Sequence, residues 1–237
     1  MDLRNFRLVT SNIGASAVPL TARGIGEIRQ KGFKTVISLI PRDELESVGI
    51  TSSQFLYLLK KNKLRWIRIP VSDLGVPTGR QFKQFCDAVK TAEKRKERVL
   101  VHCLNGNGRV GTMIGGYLIR QKGFFLEDAV RCVLRGNLQQ ETGVMRFPES
   151  PEQEKFLIGL EARRIANRLP AKARPQLYVI RKTMAELLAK KTFPVPSTRE
   201  IAMLQKLLAR GRKPNQRPLP SRPKLKNRGG ARRKTRP

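Results

Sequence analysis

Residues 101 to 112 read VHCLNGNGRVGT. The stretch holds the only histidine of the chain, His102, directly before Cys103, one of three cysteines. Five residues separate Cys103 from Arg109, and two of them, Gly106 and Gly108, are glycines. Just upstream, RVLVH (98–102) is a short apolar run of strand length. Runs of that kind read as buried strands. A helix is expected from Arg109 onward. A strand that ends at His102 and a helix that begins near Arg109 leave a short loop, and its glycines free the backbone to fold back.

Such a loop turns N–H groups inward at a helix N-terminus, where the dipole favours negative charge. It makes a nest for an oxyanion. A cysteine at the start of that nest sits in a field that favours the thiolate, the nucleophilic form. An arginine at the far end offers a planar fork to two phosphate oxygens. These parts together spell covalent phosphoryl transfer. Two other phosphate loops fit less well. Gly106 to Gly111 matches the dinucleotide fingerprint G-x-G-x-x-G, which needs an acidic residue about 20 positions on, at the end of the next strand. Here Glu127 and Asp128 open an expected helix and no strand intervenes. The ATP-type loop needs Gly-Lys-Ser/Thr, which the stretch lacks. A plain turn with a core cysteine leaves the His-Cys pair and the arginine unexplained.

Outward from this loop, strands and helices alternate. KTVISLI (34–40) and LRWIRIP (64–70) read as further strands, the second with apolar residues on both faces, as in a strand covered on both sides. Helices are expected at 24–32, 50–62, 78–96, 109–122, 126–136 and 150–167. Thr78 with Gln81 forms a capping-box pattern, and Ser150-Pro151-Glu152-Gln153 is a second helix start. The alternation implies an α/β fold: a central, mostly parallel sheet with helices on both faces. Gly115-Gly116 suggests close packing of the helix after the loop on the sheet.

His102-Cys103-x5-Arg109 resembles the signature loop of the cysteine-dependent protein tyrosine phosphatase superfamily. IPVSDLGVPTGRQF and VLVHCLNGNGRVGTMIGGYLI look like its compact dual-specificity branch, and GVMRFPESPEQEKFL is similar to the helix start that closes such domains. The resemblance covers roughly residues 5–168. It implies that Cys103 is the nucleophile and that Arg109 binds phosphate and stabilises the transition state. The N–H groups of Leu104, Asn105, Gly106, Asn107, Gly108 and Arg109 hold the equatorial oxygens, and His102 orders the loop. Asp73, after the strand that stops at Pro70, matches the family's general acid; Asp43 and Glu44 are the second choice. No metal and no cofactor is implied. One residue departs from the pattern. Val110 stands where the family has Ser or Thr, whose hydroxyl helps the cysteine sulfur leave. Thr112 lies on another helix face. A slow second step is expected.

The implied function is a dual-specificity phosphatase that hydrolyses phosphotyrosine and phosphoserine/threonine through a phosphocysteine. Two alternatives stand beside it: an RNA 5′-polyphosphate phosphatase, and a weakly active phosphate reader. The first arises from charge. The net charge is +31 over 237 residues, and Lys206 to Pro237 hold thirteen Lys or Arg with no Asp or Glu. The first 205 residues therefore keep +18. Such an excess favours nucleic acid or another polyanion as a partner for the tail. Aromatic residues are absent there, which argues against base stacking. Residues 1–168 are read as the catalytic domain, 169–210 as a linker with short helices, and 211–237 as a disordered Pro/Arg-rich tail. The odd cysteine count, with no zinc spacing, points to a reducing compartment. The expected location is cytoplasmic, or nuclear in a eukaryotic host, with no membrane span.

Overall fold

Arg98–His102 forms the middle strand of a five-stranded sheet in the computed structural model. The structure describes residues 2–134 and 147–168. Its strands are β1 (Arg7–Leu8), β2 (Ile13–Ser16), β3 (Phe33–Ser38), β4 (Arg65–Arg68) and β5 (Arg98–His102). They lie in the order β1-β2-β5-β3-β4. β1 runs antiparallel to β2, and every other pairing is parallel. The helices are α1 (Ala22–Gln30), α2 (Arg42–Ser47), α3 (Ser52–Lys61), α4 (Gly79–Lys94), α5 (Gly108–Tyr117), α6 (Leu126–Leu134) and α7 (Pro151–Arg168). One π-helical turn, Leu118–Lys122, extends α5. This is the expected α/β arrangement of a mostly parallel sheet flanked by helices.

Alternation along β5 divides the core. Val99 and Val101 pack with Phe82, Phe85, Met113, Ile114 and Leu157 from α4, α5 and α7. Leu100 faces the other way and packs with Ile25, Ile28, Phe55 and Leu59 from α1 and α3. Side chains alternate faces along a strand, so one five-residue segment ties both helical layers to the sheet. Val99, Leu100 and Val101 are fully buried, and each such side chain contributes about 1.5–3 kcal/mol by leaving water.

Capping sets the helix starts. The Thr78–Gln81 box is present at α4, and Thr51 with Gln54 makes the same box at α3. At α7 the Gln153 N–H donates to Ser150 Oγ at 3.2 Å, while the Gln153 side chain accepts from the Glu149 N–H, one residue before the cap.

Two expectations need correction, and one holds. β4 lies at the sheet edge yet is covered on both sides as expected: Leu64 and Trp66 pack into the core with α1 and α3, and Ile67 and Ile69 into the core with α4 and α5. The expected 109–122 helix changes to a π turn at Leu118. Gly115 and Gly116 do not face the sheet. A Cβ on Gly116 would press on Leu160 and Phe82 at 2.9 Å, and one on Gly115 would touch Leu157 and Phe147 at 3.6 Å. The glycines let α7, α4 and Phe147 approach α5. The sequence reading also passed over β1, β2 and α2. The end of the 126–136 helix, the linker with its short helices, expected at about 177–190 and 198–209, and the basic tail lie outside the described residues. Among the described residues, no helix is long and apolar enough to cross a membrane.

Candidate active site

Parallel pairing brings the C-terminal ends of three strands level: Ser16 and Ser38 both pair with His102. In open α/β sheets, ligands bind outside the carboxyl ends of the strands. The segments that follow β3, β4 and β5 meet here and carry Glu44, Asp73 and Cys103 respectively.

Cys103 is the first residue beyond β5 and is buried. The Gly106 N–H donates to its Sγ at 3.2 Å. Gly106 has φ +81°, and a Cβ there would overlap the Ser16 and Ala17 backbone. Gly106→Ala is therefore expected to destabilise the protein by at least about 2 kcal/mol, from left-handed backbone strain and the clash together. Thermal unfolding should show a midpoint about 4–8 °C lower; an unchanged midpoint would contradict this account.

At the other end of the loop, the Arg109 side chain is 2% exposed. It forks onto Glu44, with Nη1 to Oε2 and Nη2 to Oε1 both at 2.6 Å. Nη1 also donates to the Val71 carbonyl at 3.2 Å, and Nη2 lies 3.1 Å from Asp73 Oδ1. Burial works against the guanidinium charge, but Glu44 and the charges of Cys103 and Asp73 outweigh it, so the pKa rises. Arg109 is a permanent cation. Asp73 is largely exposed and reaches the site through that one ion pair.

His102 is fully buried and tilts against Phe55, ring centres 5.6 Å apart. Its Nδ1–H donates to the Cys103 carbonyl at 3.3 Å. Burial pulls its pKa down to about 4, with that bond opposing and the Arg109 charge adding to the fall. The imidazole is neutral at physiological pH. Val110 is fully buried and Thr112 Oγ1 donates to the Gly108 carbonyl at 2.7 Å. The Thr112 hydroxyl is thus spent inside the helix. Cys86 is buried in the α4 core, where burial raises its pKa to about 11. Cys132, on α6, packs partly buried against the core.

The structure brings Cys103, the loop, Arg109 and Asp73 together, and makes Glu44 the main partner of Arg109. It adds a residue that the sequence reading missed. Glu149 Oε2 accepts the Gly108 N–H at 2.8 Å, at the first residue of α5. Partial burial of its carboxyl end raises the Glu149 pKa, with Asp73 adding; Gly108, Arg109 and Asn107 oppose. Three carboxylates thus surround the loop and its arginine. Glu149 stands directly before a capping serine, so nothing in the sequence distinguished it from an ordinary acidic residue near a helix start. Among the described residues no three His, Cys, Asp or Glu side chains are grouped as a metal ion requires. Nor does a strand follow α5 there, as a dinucleotide fold would need.

A family model described as "DSP-PTPase phosphatase fused to NAD+ Kinase" matches residues 16–150. The chain is 32% identical over 81 residues to the protein-tyrosine-phosphatase IBR5 of Arabidopsis thaliana, covering 33% of this chain and 32% of that one. It is 27% identical over 141 residues to the tyrosine-protein phosphatase CDC14 of Saccharomyces cerevisiae, covering 55% and 25%. The matches thus span about a third and a quarter of those two proteins' lengths. Among solved structures, Tk-PTP in its active form superposes with a TM-score of 0.54 at 23% identity, over 67% of this chain and 97% of the other. PTPMT1 does so with a TM-score of 0.51 at 21% identity, over the same shares, 67% and 97%. Both are likenesses of fold.

Proposed function

The chain belongs to the DSP-PTPase phosphatase family, and we propose that it is a cysteine-dependent hydrolase of phosphate esters that acts on phosphotyrosine and phosphoserine/threonine through a phosphocysteine on Cys103. The observation that carries this reading is the loop itself. A buried cysteine receives a backbone N–H at 3.2 Å, and a buried arginine stands in the first turn of α5, at its anion-binding end.

In the first step the Cys103 thiolate attacks phosphorus. The S–P bond forms, the ester P–O bond breaks, and Asp73 gives its proton to the leaving oxygen. Arg109 turns from Glu44 to two equatorial oxygens, and loop N–H groups hold the remaining charge. In the second step Asp73, now a carboxylate, takes a proton from water as that water attacks phosphorus. The S–P bond breaks, the thiolate returns and inorganic phosphate leaves. His102, neutral and bonded to the Cys103 carbonyl, fixes the loop's first peptide and moves no proton.

Val110 bears on the second step. No hydroxyl stands beside the arginine to donate to the departing sulfur, and Thr112 is committed to Gly108. Val110→Thr is expected to raise kcat about tenfold, the worth of one hydrogen bond to a charged group. The pre-steady-state burst of leaving group should shrink with it. Rapid-mixing kinetics on an aryl phosphate checks this; an absent burst in wild type with kcat unchanged in the variant would sink the slow second step. Substrate class is tested on the full chain with phosphotyrosine peptides, phosphothreonine peptides and 5′-triphosphorylated RNA. Turnover of both peptide classes supports dual specificity. Turnover of RNA ends alone supports the RNA reading that the basic tail motivates.

A further inference from the structure

Three successive carbonyls of the loop are each held from outside by the N-terminal segment. The Leu104 carbonyl accepts the Val18 N–H at 3.1 Å. The Asn105 carbonyl accepts Asn5 Nδ2 at 2.7 Å. The Gly106 carbonyl accepts Arg7 Nη2 at 2.9 Å. A planar trans peptide points its carbonyl and the following N–H in opposite directions. Holding those carbonyls outward therefore turns the N–H groups of Asn105, Gly106 and Asn107 the other way. The result is visible at Gly106, whose N–H reaches Cys103 Sγ.

Neither side chain is an incidental neighbour. Asn5 takes a left-handed backbone, φ 55°, which asparagine tolerates better than most residues. Arg7 is 3% exposed. Its Nε donates to the Val133 carbonyl at 2.7 Å and its Nη1 to the Asn5 carbonyl at 3.3 Å. All its recorded hydrogen bonds end on backbone carbonyls, and no carboxylate pairs with it among the described residues. A buried cation without a counter-ion is costly. Burial lowers the Arg7 pKa to about 10, and the charge of Cys103 is the influence that opposes the fall. The guanidinium stays charged at neutral pH.

We propose that Asn5 and Arg7 are positioning residues of the phosphate cradle: by holding the Asn105 and Gly106 carbonyls outward they aim the Gly106 and Asn107 N–H groups at the bound oxyanion. The proposal rests on the reading of this loop as a phosphate site. A purely structural role for Arg7, as a strut between β1 and α6, predicts loss of stability without a specific loss of oxyanion affinity.

The test uses full-length wild type, Asn5→Ala, Arg7→Lys and Arg7→Met, with tungstate and inorganic phosphate as probes. Affinity is read by calorimetry and by competition against an aryl phosphate, with thermal unfolding recorded for each protein. Asn5→Ala is expected to bind both anions about tenfold more weakly and to raise KM more than it lowers kcat. Its unfolding midpoint should stay within about 4 °C of wild type. Arg7→Lys keeps the charge but cannot span three carbonyls, and should fall between wild type and Arg7→Met. If Arg7→Met does not fold, Asn5→Ala carries the test. Anion affinity within twofold of wild type in Asn5→Ala and in every folded Arg7 variant would overturn the positioning role while leaving the phosphatase reading intact. A wild type that neither binds tungstate nor hydrolyses the aryl phosphate would overturn both.

Discussion

Cys103→Ser is expected to release no measurable phosphate from any substrate that the wild type hydrolyses. A serine hydroxyl is not ionised near neutral pH and is a far weaker nucleophile than a thiolate. No base is placed to activate it: His102 is bonded to a carbonyl and neutral, and Asp73 faces Arg109. Loss of a nucleophile that the rest of the site cannot replace costs on the order of 10⁵–10⁶ in kcat. Binding should survive. The Gly106 N–H that meets sulfur at 3.2 Å can donate to an oxygen in its place, and the rest of the loop is untouched. Tungstate affinity close to wild type, with turnover gone, is the expected pair of results. Turnover above about one per cent of wild type would place the nucleophile elsewhere.

Arg109→Lys is expected to lower kcat by about 10²–10³. Lysine keeps the charge but loses the fork, and the fork is what Arg109 uses. Its two terminal nitrogens meet both Glu44 oxygens at 2.6 Å, the geometry that two phosphate oxygens would demand. An ammonium has three donors on one nitrogen and cannot present two parallel bonds to both oxygens. Because charge on the equatorial oxygens changes as the reaction proceeds, kcat should fall more than KM rises. Steady-state kinetics on an aryl phosphate separates the two. A kcat/KM within threefold of wild type would show that the guanidinium does not bear on the transition state.

Much of this site was legible because its parts are adjacent in the chain. Strand, cysteine, glycines, arginine and helix follow within Arg98–Tyr117, and each has a local reason to be what it is. Asp73 was found through a strand-proline-loop pattern, also local. Residues that act across the sheet were not readable in the same way. Asn5 and Arg7 sit in a stretch where Arg7 looks like one more surface cation in a basic protein. Glu149 looks like a residue near a cap. β2, IGAS, has four residues, one of them glycine, and too little apolar contrast for a periodicity reading. Its burial on every residue comes from pairing with β5. α2 was missed because RDELES is nearly all polar, with Leu45 as its one buried residue. Glu44 became prominent only when the fold placed Arg109 opposite it.

The bracket around the loop also sets a clock. Asn5 and Asn105 are 100 residues apart in the chain, and Arg7 and Gly106 are 99 apart. At ribosomal rates the N-terminal partners are made roughly 5–20 s before the loop they hold. β2 has no parallel neighbour until β5 arrives, and β5 enters between two strands already synthesised. Closure over such a separation is costly in chain entropy and slow. Catalytic competence therefore arrives late, as β5 slots in, rather than growing with chain length. A nascent chain that binds tungstate has completed its sheet, and one truncated before Cys103 has none of the cradle, however much of the helical layer it has already folded.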